Sequence, residues 1–282
     1  MAVNPERFGG HRKDPGLTPA GSNYHLTLLG TCRLSRGDRP IPLKPREQRV
    51  VALLALQGNQ ARSRCFLAGR LWPEVTQARA GGSLRSAVFG LHRAAPGLLW
   101  PDGGQLGLAP GVSLDVRRLA GRARLIIGLA QQCGEAEEDP QLPPDSLSLL
   151  SQGELLPGWY EDWVSDERDR LQQLQLSALE SLAELLLDRG DVSDALAAAG
   201  AAAELDPLRE SAQRAVVRIH LANGNYHAAV SHYLRFRRTV LAELGIGPSM
   251  QMERLIRPIM DHSRRGRRAE DVRPVQSAGR PG

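Results

Sequence analysis

A repeat in the C-terminal half is the feature of this sequence that most restricts its fold. Gly190 and Gly224 occupy the same place in two copies of the pattern Leu-x-x-Gly-Asp/Asn-x-x-x-Ala. Glycine suits the tight turn between two helices, and small alanine side chains let neighbouring helices approach closely. The repeat therefore predicts stacked pairs of helices.

The distance between the two copies gives a 34-residue period, and such a period with two helices per repeat is typical of tetratricopeptide-like domains. The expected helices are 162–188 paired with 192–205, 209–222 paired with 226–242, and a last helix over 249–260. In the first of these, apolar residues recur every three or four positions, as a buried seam requires. The members of this seam are Leu171, Leu174, Ala178, Leu182 and Leu185. Residues 116–262 are thus predicted to form an all-α domain.

The N-terminal part has a different pattern, in which short apolar runs alternate with turn residues. The expected strands are 24–29, 32–35 and 41–43, the expected helices are 46–57, 64–72 and 79–95, and a β-hairpin is expected over 98–108. Ser63 is suited to cap the second helix, and Pro73 ends it. This order predicts a winged helix-turn-helix over residues 24–115, with a small β-sheet and the hairpin as its wing. The predicted fold class is therefore mainly α.

The predicted third helix has one apolar face and one cationic face. The apolar face consists of Leu84, Ala87, Val88, Leu91 and Ala95, and the opposite face carries Arg79, Gly82, Arg85, Ser86, Phe89 and Arg93. No acidic residue occurs between Glu74 and Asp102. A DNA-recognition helix needs an apolar back that docks on its domain and a cationic, hydrogen-bonding front. The same pattern also fits an ordinary amphipathic surface helix.

Charge is divided unequally along the chain. Residues 24–115 hold 12 basic and 5 acidic residues, whereas residues 116–262 hold 15 basic and 22 acidic ones. This asymmetry indicates one domain that binds a polyanion and one with another role. Residues 1–23 and 263–282 are expected to form a disordered leader and a basic disordered tail. No apolar run is long enough for a membrane-spanning helix, so no membrane is expected among the partners.

Particular phrases of the sequence are similar to those of a known family. Residues 24–115 resemble an OmpR-type winged-helix DNA-binding domain, and residues 116–262 resemble the bacterial transcriptional activator domain. The phrases that carry the second match are LLPGWYEDWVSDERDRL (155–171), LDPLRESAQRAVVRIHLANGNYHAAVSHY (205–233) and ELGIGPS (243–249). Together the two parts resemble the antibiotic-regulatory SARP class of bacterial transcriptional activators in its short two-domain form.

The resemblance implies a sequence-specific DNA-binding transcription activator of a secondary-metabolite gene cluster. It implies tandem direct repeats near the promoter as the target, side-by-side self-association on DNA, and recruitment of RNA polymerase. In OmpR-type domains the loop between the second and third helices contacts the polymerase. The corresponding residues of this chain are Pro73, Glu74, Val75, Thr76 and Gln77. A cytoplasmic, nucleoid-associated location is expected for such a protein.

Eight side chains are candidates for contact with DNA. Phosphates accept from cationic and amide side chains, and the candidates for this role are Arg46, Arg64, Arg79 and Gln105. The candidates for the major groove are Arg85, Ser86, Phe89 and Arg93. Arg85 is expected to bond a guanine in bidentate fashion, and Phe89 to touch a thymine methyl group.

No motif of the sequence points to an enzyme, a cofactor or a metal. The chain has no G-x-S-x-G, no phosphate-binding loop and no H-E-x-x-H. His220, His227 and His232 are not spaced for one helix face, and the three cysteines form no C-x-x-C pair. An alternative function remains, namely a tetratricopeptide-type interaction scaffold or peptide-sensing regulator whose basic N-terminal part serves localisation.

Overall fold

The structure, a computed structural model, describes residues 23–58, 60–102, 104–132 and 141–270, and for 101–102 and 262–270 it describes the backbone. The chain divides into two compact units. Unit 1 consists of Met1–Asp115 with Leu156–Trp163, and unit 2 consists of Val116–Leu155 with Val164–Gly282. Residues 1–22 of the predicted leader and 271–282 of the predicted tail lie outside the described residues.

Unit 1 contains seven short strands and three helices among its described residues. In chain order they are β1 (Tyr24–Thr27), β2 (Arg33–Arg36), β3 (Arg39–Ile41), α1 (Pro45–Leu56), β4 (Arg62–Ser63), α2 (Arg64–Leu71), α3 (Gln77–Ala94), β5 (Leu99–Asp102), β6 (Gln105–Leu108) and β7 (Ser113–Leu114). One sheet has the order β3-β2-β1-β7, in which β1 and β7 are parallel, and the other has the antiparallel order β4-β6-β5. The predicted strands agree with these within two residues. Strands β4 and β7 are not predicted from the sequence, because two residues are too few to show a period of two.

A segment remote in sequence completes unit 1. The Leu156 N–H donates to the Leu28 carbonyl at 2.9 Å, and Leu156 is fully buried. One carboxylate oxygen of Asp115 accepts from the N–H groups of Leu28 and Leu29, at 2.8 Å each. Burial and this carboxylate raise the pKa of the Cys32 thiol to about 12. The thiol is therefore protonated at neutral pH and is a poor nucleophile.

Seven helices carry the rest of the described chain, and the first and third of them begin in unit 1. They are α4 (Asp115–Gln132), α5 (Ser146–Leu150), α6 (Asp162–Asp188), α7 (Val192–Leu205), α8 (Glu210–Ala222), α9 (Tyr226–Leu244) and α10 (Met250–Glu270). The four predicted repeat helices are confirmed within two residues as α6, α7, α8 and α9. The short α5 is not predicted from the sequence, since a single turn is too short to show a helical period.

The two repeats end their first helices in the same way. Gly190 has φ 82° and Gly224 has φ 71°, in the left-handed region that favours glycine. The Asp191 N–H donates to the Leu186 carbonyl at 2.9 Å, and one repeat later the Asn225 N–H donates to the His220 carbonyl at 2.8 Å. These bonds are the long-range closure of a Schellman turn. The predicted repeat is therefore confirmed, together with the reason for its glycines.

Two apolar cores stabilise unit 2. The larger joins α4, α6, α7 and α8, and its part on α7 is made mostly of alanine side chains. The smaller lies between α8, α9 and α10 and consists of Val217, Ala229, Tyr233, Phe236, Val240, Met252 and Ile256. Each α9 member of this core lies three or four residues from the next, so one face of α9 is buried.

The last helix is longer than the sequence analysis predicts. The sequence predicts a helix over 249–260 and a disordered tail from residue 263, but α10 continues to Glu270. Arginine, alanine and glutamate are good helix formers, and here they extend the helix without an apolar pattern. The predicted fold class itself is confirmed: the chain is mainly α, with an N-terminal winged helix-turn-helix followed by a tetratricopeptide-like helical part.

Candidate nucleic-acid interface

The turn between α2 and α3 is shorter than predicted. The Ser63 hydroxyl oxygen accepts from the Phe66 N–H at 3.2 Å and so caps α2, as expected. Helix α3 begins at Gln77 rather than at residue 79. The expected polymerase-contact residues therefore divide into a loop, Pro73–Thr76, and the first residue of α3. Glutamine and alanine at 77 and 78 are good helix formers, which accounts for the earlier start.

The two faces predicted for the third helix are present in the structure. The buried row of α3 consists of Ala80, Leu84, Ala87, Val88 and Leu91, which pack in the core of unit 1 beside α1 and α2. The side chains of Arg79, Arg85, Ser86, Phe89 and Arg93 are exposed. Phe89 is 65% exposed, although it is a large aromatic side chain. The exposed face of α3 thus combines three arginines with one aromatic side chain.

The glycine pair at 81 and 82 lies inside α3, and Arg85 folds back over it. A Cβ placed on Gly81 would lie 3.6 Å from Arg85 Nη1, and one placed on Gly82 would lie 3.8 Å from Arg85 Nη2. The Ser86 hydroxyl donates to the Gly82 carbonyl at 3.1 Å. Helical side chains lean toward the N-terminus, which places the Arg85 guanidinium beside these two glycines.

A groove of about 570 Å³ runs between the start of α1 and the exposed face of α3. Its polar lining consists of Lys44, Arg46, Ser86 and Arg93 with the buried Glu47, and Phe89 forms part of its wall. The structure thus brings together four of the eight predicted DNA-contact residues. It adds Lys44, which the sequence analysis did not single out, although this is one of only two lysines in the chain and directly precedes Pro45.

The wing lies beside the start of α2. Gln105 is paired with Ser63 in the β4–β6 ladder, and it lies opposite Asp102 in the β5–β6 ladder. Arg64 is the first residue of α2 and therefore follows the strand that pairs with the wing. Both side chains are exposed, and neither lines the groove, nor do Arg79 and Arg85. The phosphate candidates Arg64 and Gln105 thus form a second group.

The residues predicted to contact polymerase are all exposed, from Pro73 through Gln77. Val75 remains 42% exposed. The Gln77 side-chain amide lies 3.8 Å from Cys65 Sγ, so it links the first residue of α3 to α2.

His232 of unit 2 has a structural partner. His232 Nε2 lies 2.7 Å from Gln213 Oε1, while the Gln213 amide nitrogen donates to the carbonyls of Ala203 and Pro207. Burial, with a smaller effect of the Arg235 charge, lowers the pKa of His232 to about 4. Among the described residues, no group of three His, Cys, Asp or Glu side chains is placed to hold a metal ion. In the same part of the chain, no helix is both long and apolar enough to cross a membrane.

Comparison with known proteins identifies the class. Residues 131–260 match the family model of the bacterial transcriptional activator domain. The match covers slightly less than half of the chain, and the predicted resemblance to the SARP class of bacterial transcriptional activators is confirmed.

Two curated relatives are regulatory proteins. The chain is 27% identical over 241 residues to the regulatory protein AfsR of Streptomyces coelicolor, a match that covers 83% of this chain and 24% of the relative. It is 24% identical over 258 residues to AfsR of Streptomyces griseus, and this match covers 88% of this chain and 26% of that relative. The chain thus spans about a quarter of the length of these relatives.

A solved structure shares the fold. It is that of Mycobacterium tuberculosis EmbR in complex with a low-affinity phosphopeptide, with a TM-score of 0.66 and 19% sequence identity. The match covers 85% of this chain and 65% of the EmbR chain.

Proposed function

We propose that this protein is a sequence-specific DNA-binding transcription activator whose α3 reads the major groove. The observation that carries the proposal is the exposed face of α3. It presents three arginines and an exposed phenylalanine, and no residue of the helix is acidic. A carboxylate on this face would be repelled by DNA phosphates, whereas arginine bonds both phosphates and guanine edges.

The candidate contacts fall into two roles. Arg85 and Phe89 lie near the middle of α3 and are proposed to contact base edges, with Ser86 and Arg93 on the same face. Arg46 and Lys44 flank the groove at the start of α1 and are proposed to hold one phosphate strand. Arg64, Arg79 and Gln105 are proposed to contact phosphates near the start of α2, the start of α3 and the wing.

The resemblance to SARP-class activators supports the wider proposal. The target is a pair of tandem direct repeats at a promoter of an antibiotic gene cluster, and two copies bind side by side. The loop Pro73–Thr76, with Gln77, contacts RNA polymerase. The protein acts in the cytoplasm at the nucleoid and has no enzymatic activity.

Paired arginine variants test the assignment of bases and phosphates. Arg85→Ala makes the free energy of binding to the preferred site less favourable by about 1–3 kcal/mol and relaxes the sequence preference. Arg46→Ala weakens cognate and random DNA equally and lowers the slope of log affinity against log salt by about one. Arg218→Ala is the matched control, because it removes the same charge from unit 2, where Arg218 pairs with Glu184 at 3.3 Å.

Gel-shift titrations with cognate and random duplexes measure all three variants. If Arg85→Ala and Arg46→Ala each lower the affinity for the cognate and the random duplex by the same factor, the division into base contacts and phosphate contacts is refuted. If the wild-type chain retains no duplex selectively against excess competitor DNA, the scaffold alternative replaces the activator.

A further inference from the structure

Helix α9 has a second apolar row that no described part of the chain covers. Its first row is buried in the smaller core of unit 2. The second row consists of Leu234, Leu241 and Leu244, which are 40%, 55% and 52% exposed. Positions separated by seven and three residues lie on one side of a helix, so the three leucines form an exposed stripe, which Arg237 and Arg238 interrupt between Leu234 and Leu241. A surface helix of a self-contained unit needs only one apolar stripe.

Arginines flank the exposed stripe. A cleft of about 610 Å³ on α9 is lined by Ser231, Leu234, Arg235, Arg237, Arg238 and Leu241. Arg237 and Arg238 are exposed and have no carboxylate partner among the described residues. Some other arginines of unit 2 are paired, for example Arg209 with Glu180 at 2.9 Å and Arg214 with Glu210 at 3.2 Å, whereas the exposed Arg254 and Arg257 of α10 resemble Arg237 and Arg238 in having no such ion pair in the described part of the chain. What distinguishes Arg237 and Arg238 is that they line the same cleft as exposed leucines, which Arg254 and Arg257 do not.

We infer that this surface of α9 binds an acidic amphipathic helix of a partner protein. Leucines at helical spacing on the partner cover the stripe, and its glutamates or aspartates pair with Arg237 and Arg238. Binding of an apolar helix face in a groove is a common mode of peptide recognition, and the flanking charges set its orientation. The inference goes beyond the proposed DNA-binding function, because it concerns a different unit and a different ligand.

Other occupants fit the surface less well. A second copy bound through the same face in a two-fold dimer would place these arginines against their own counterparts. DNA would pair with the arginines but would leave the leucines exposed. An anionic membrane would accept both groups, but three leucines on a helix packed against α8 and α10 offer it little apolar area.

A designed helix tests the inference. The probe is a fluorescein-labelled amphipathic peptide of Leu, Glu and Ala, five helical turns long, with leucines three and four positions apart on one face. Fluorescence anisotropy with the full chain should show saturable binding with a Kd below about 100 µM. The double variant Arg237→Glu with Arg238→Glu should bind the acidic peptide about ten-fold more weakly than the wild-type chain does. The same variant should gain binding of a second peptide that has Lys in place of Glu. Leu241→Ala should weaken binding in both charge pairings, that of the wild-type arginines with the acidic peptide and that of the glutamate variant with the Lys peptide.

Control variants separate this surface from general charge effects. Arg254→Glu with Arg257→Glu changes the net charge equally on α10, outside the cleft, and should alter affinity less than two-fold. Three results would overturn the inference: equal loss in both double variants, equal binding of a peptide whose leucines are scattered around the helix, or no binding at about 1 mM.

Anionic vesicles and a DNA duplex serve as competing ligands. If Arg237→Glu with Arg238→Glu abolishes binding of either ligand by the wild-type chain, that ligand replaces the acidic helix. Circular dichroism checks that the variants fold. The same double variant should shift promoter DNA normally, so a failed peptide titration leaves the proposed DNA-binding function intact.

Discussion

Replacement of Gly90 by alanine tests how closely α1 and α3 pack beneath the candidate DNA-binding face. A Cβ at position 90 would lie 2.0 Å from Glu47 Oε1 and 3.0 Å from Glu47 Cδ. Glu47 is only 6% exposed, and its other carboxylate oxygen accepts from the Lys44 N–H at 2.8 Å. The carboxylate therefore has to leave its position, and the capping bond at the start of α1 is lost.

Three effects set the size of the change. The steric conflict costs about 1–3 kcal/mol, and the lost cap costs about 1 kcal/mol. Alanine in place of glycine inside a helix returns about 1 kcal/mol. We therefore expect Gly90→Ala to lower the free energy of unfolding of unit 1 by about 1–3 kcal/mol. Gly69→Ala in α2 is the matched control, because no atom lies within 4 Å of its added Cβ, and it should be neutral or stabilising.

The chain supplies its own probe for this measurement. All four tryptophans, Trp72, Trp100, Trp159 and Trp163, belong to unit 1, so tryptophan fluorescence during urea unfolding reports on that unit. A double variant with Glu47→Ala separates clash from capping, since it has no carboxylate to displace. It should be more stable than the sum of the two single changes predicts. If Gly90→Ala proves as stable as Gly69→Ala, the proposed conflict with Glu47 is wrong.

Further predictions concern pH, a helix contact and DNA spacing. Between pH 6.5 and about 4 the unfolded chain binds a proton at His232 that the folded chain does not, because the folded pKa is lowered to about 4. Stability of unit 2, followed by circular dichroism, should therefore fall by about 1–2 kcal/mol as the pH is lowered through this range, and His232→Gln should reduce that slope. Glu210→Ala should destabilise the packing of α10 by about 1–2 kcal/mol in the same assay, because the Glu210 carboxylate accepts from the Ser249 N–H at 2.7 Å. An unchanged melting curve would contradict this. In gel shifts, half a helical turn of about 5 bp inserted between two direct repeats should abolish cooperative binding, and a full turn of about 10–11 bp should partly restore it. Equal affinity at every spacing would exclude side-by-side binding.

Much of the fold was accessible from the sequence, because it depends on local chemistry. Glycine in a left-handed turn can be replaced by few residues, so Gly190 and Gly224 marked the repeat directly. The buried and exposed faces of α3 followed from a helical period that any amphipathic helix must satisfy. The exposure of Arg85, Phe89 and the other candidates on that helix is a consequence of the same period.

Other features required the tertiary structure. Nothing near Gly90 in the sequence indicates that Glu47, on a different helix, occupies the space of its side chain. Lys44 joins the groove only because α1 begins beside α3, and Leu156 joins unit 1 through a hydrogen bond to Leu28. The exposure of the second leucine row of α9 is likewise not predictable from the sequence. A periodic pattern specifies which side chains avoid water, but only packing decides which element covers them and which row is left uncovered.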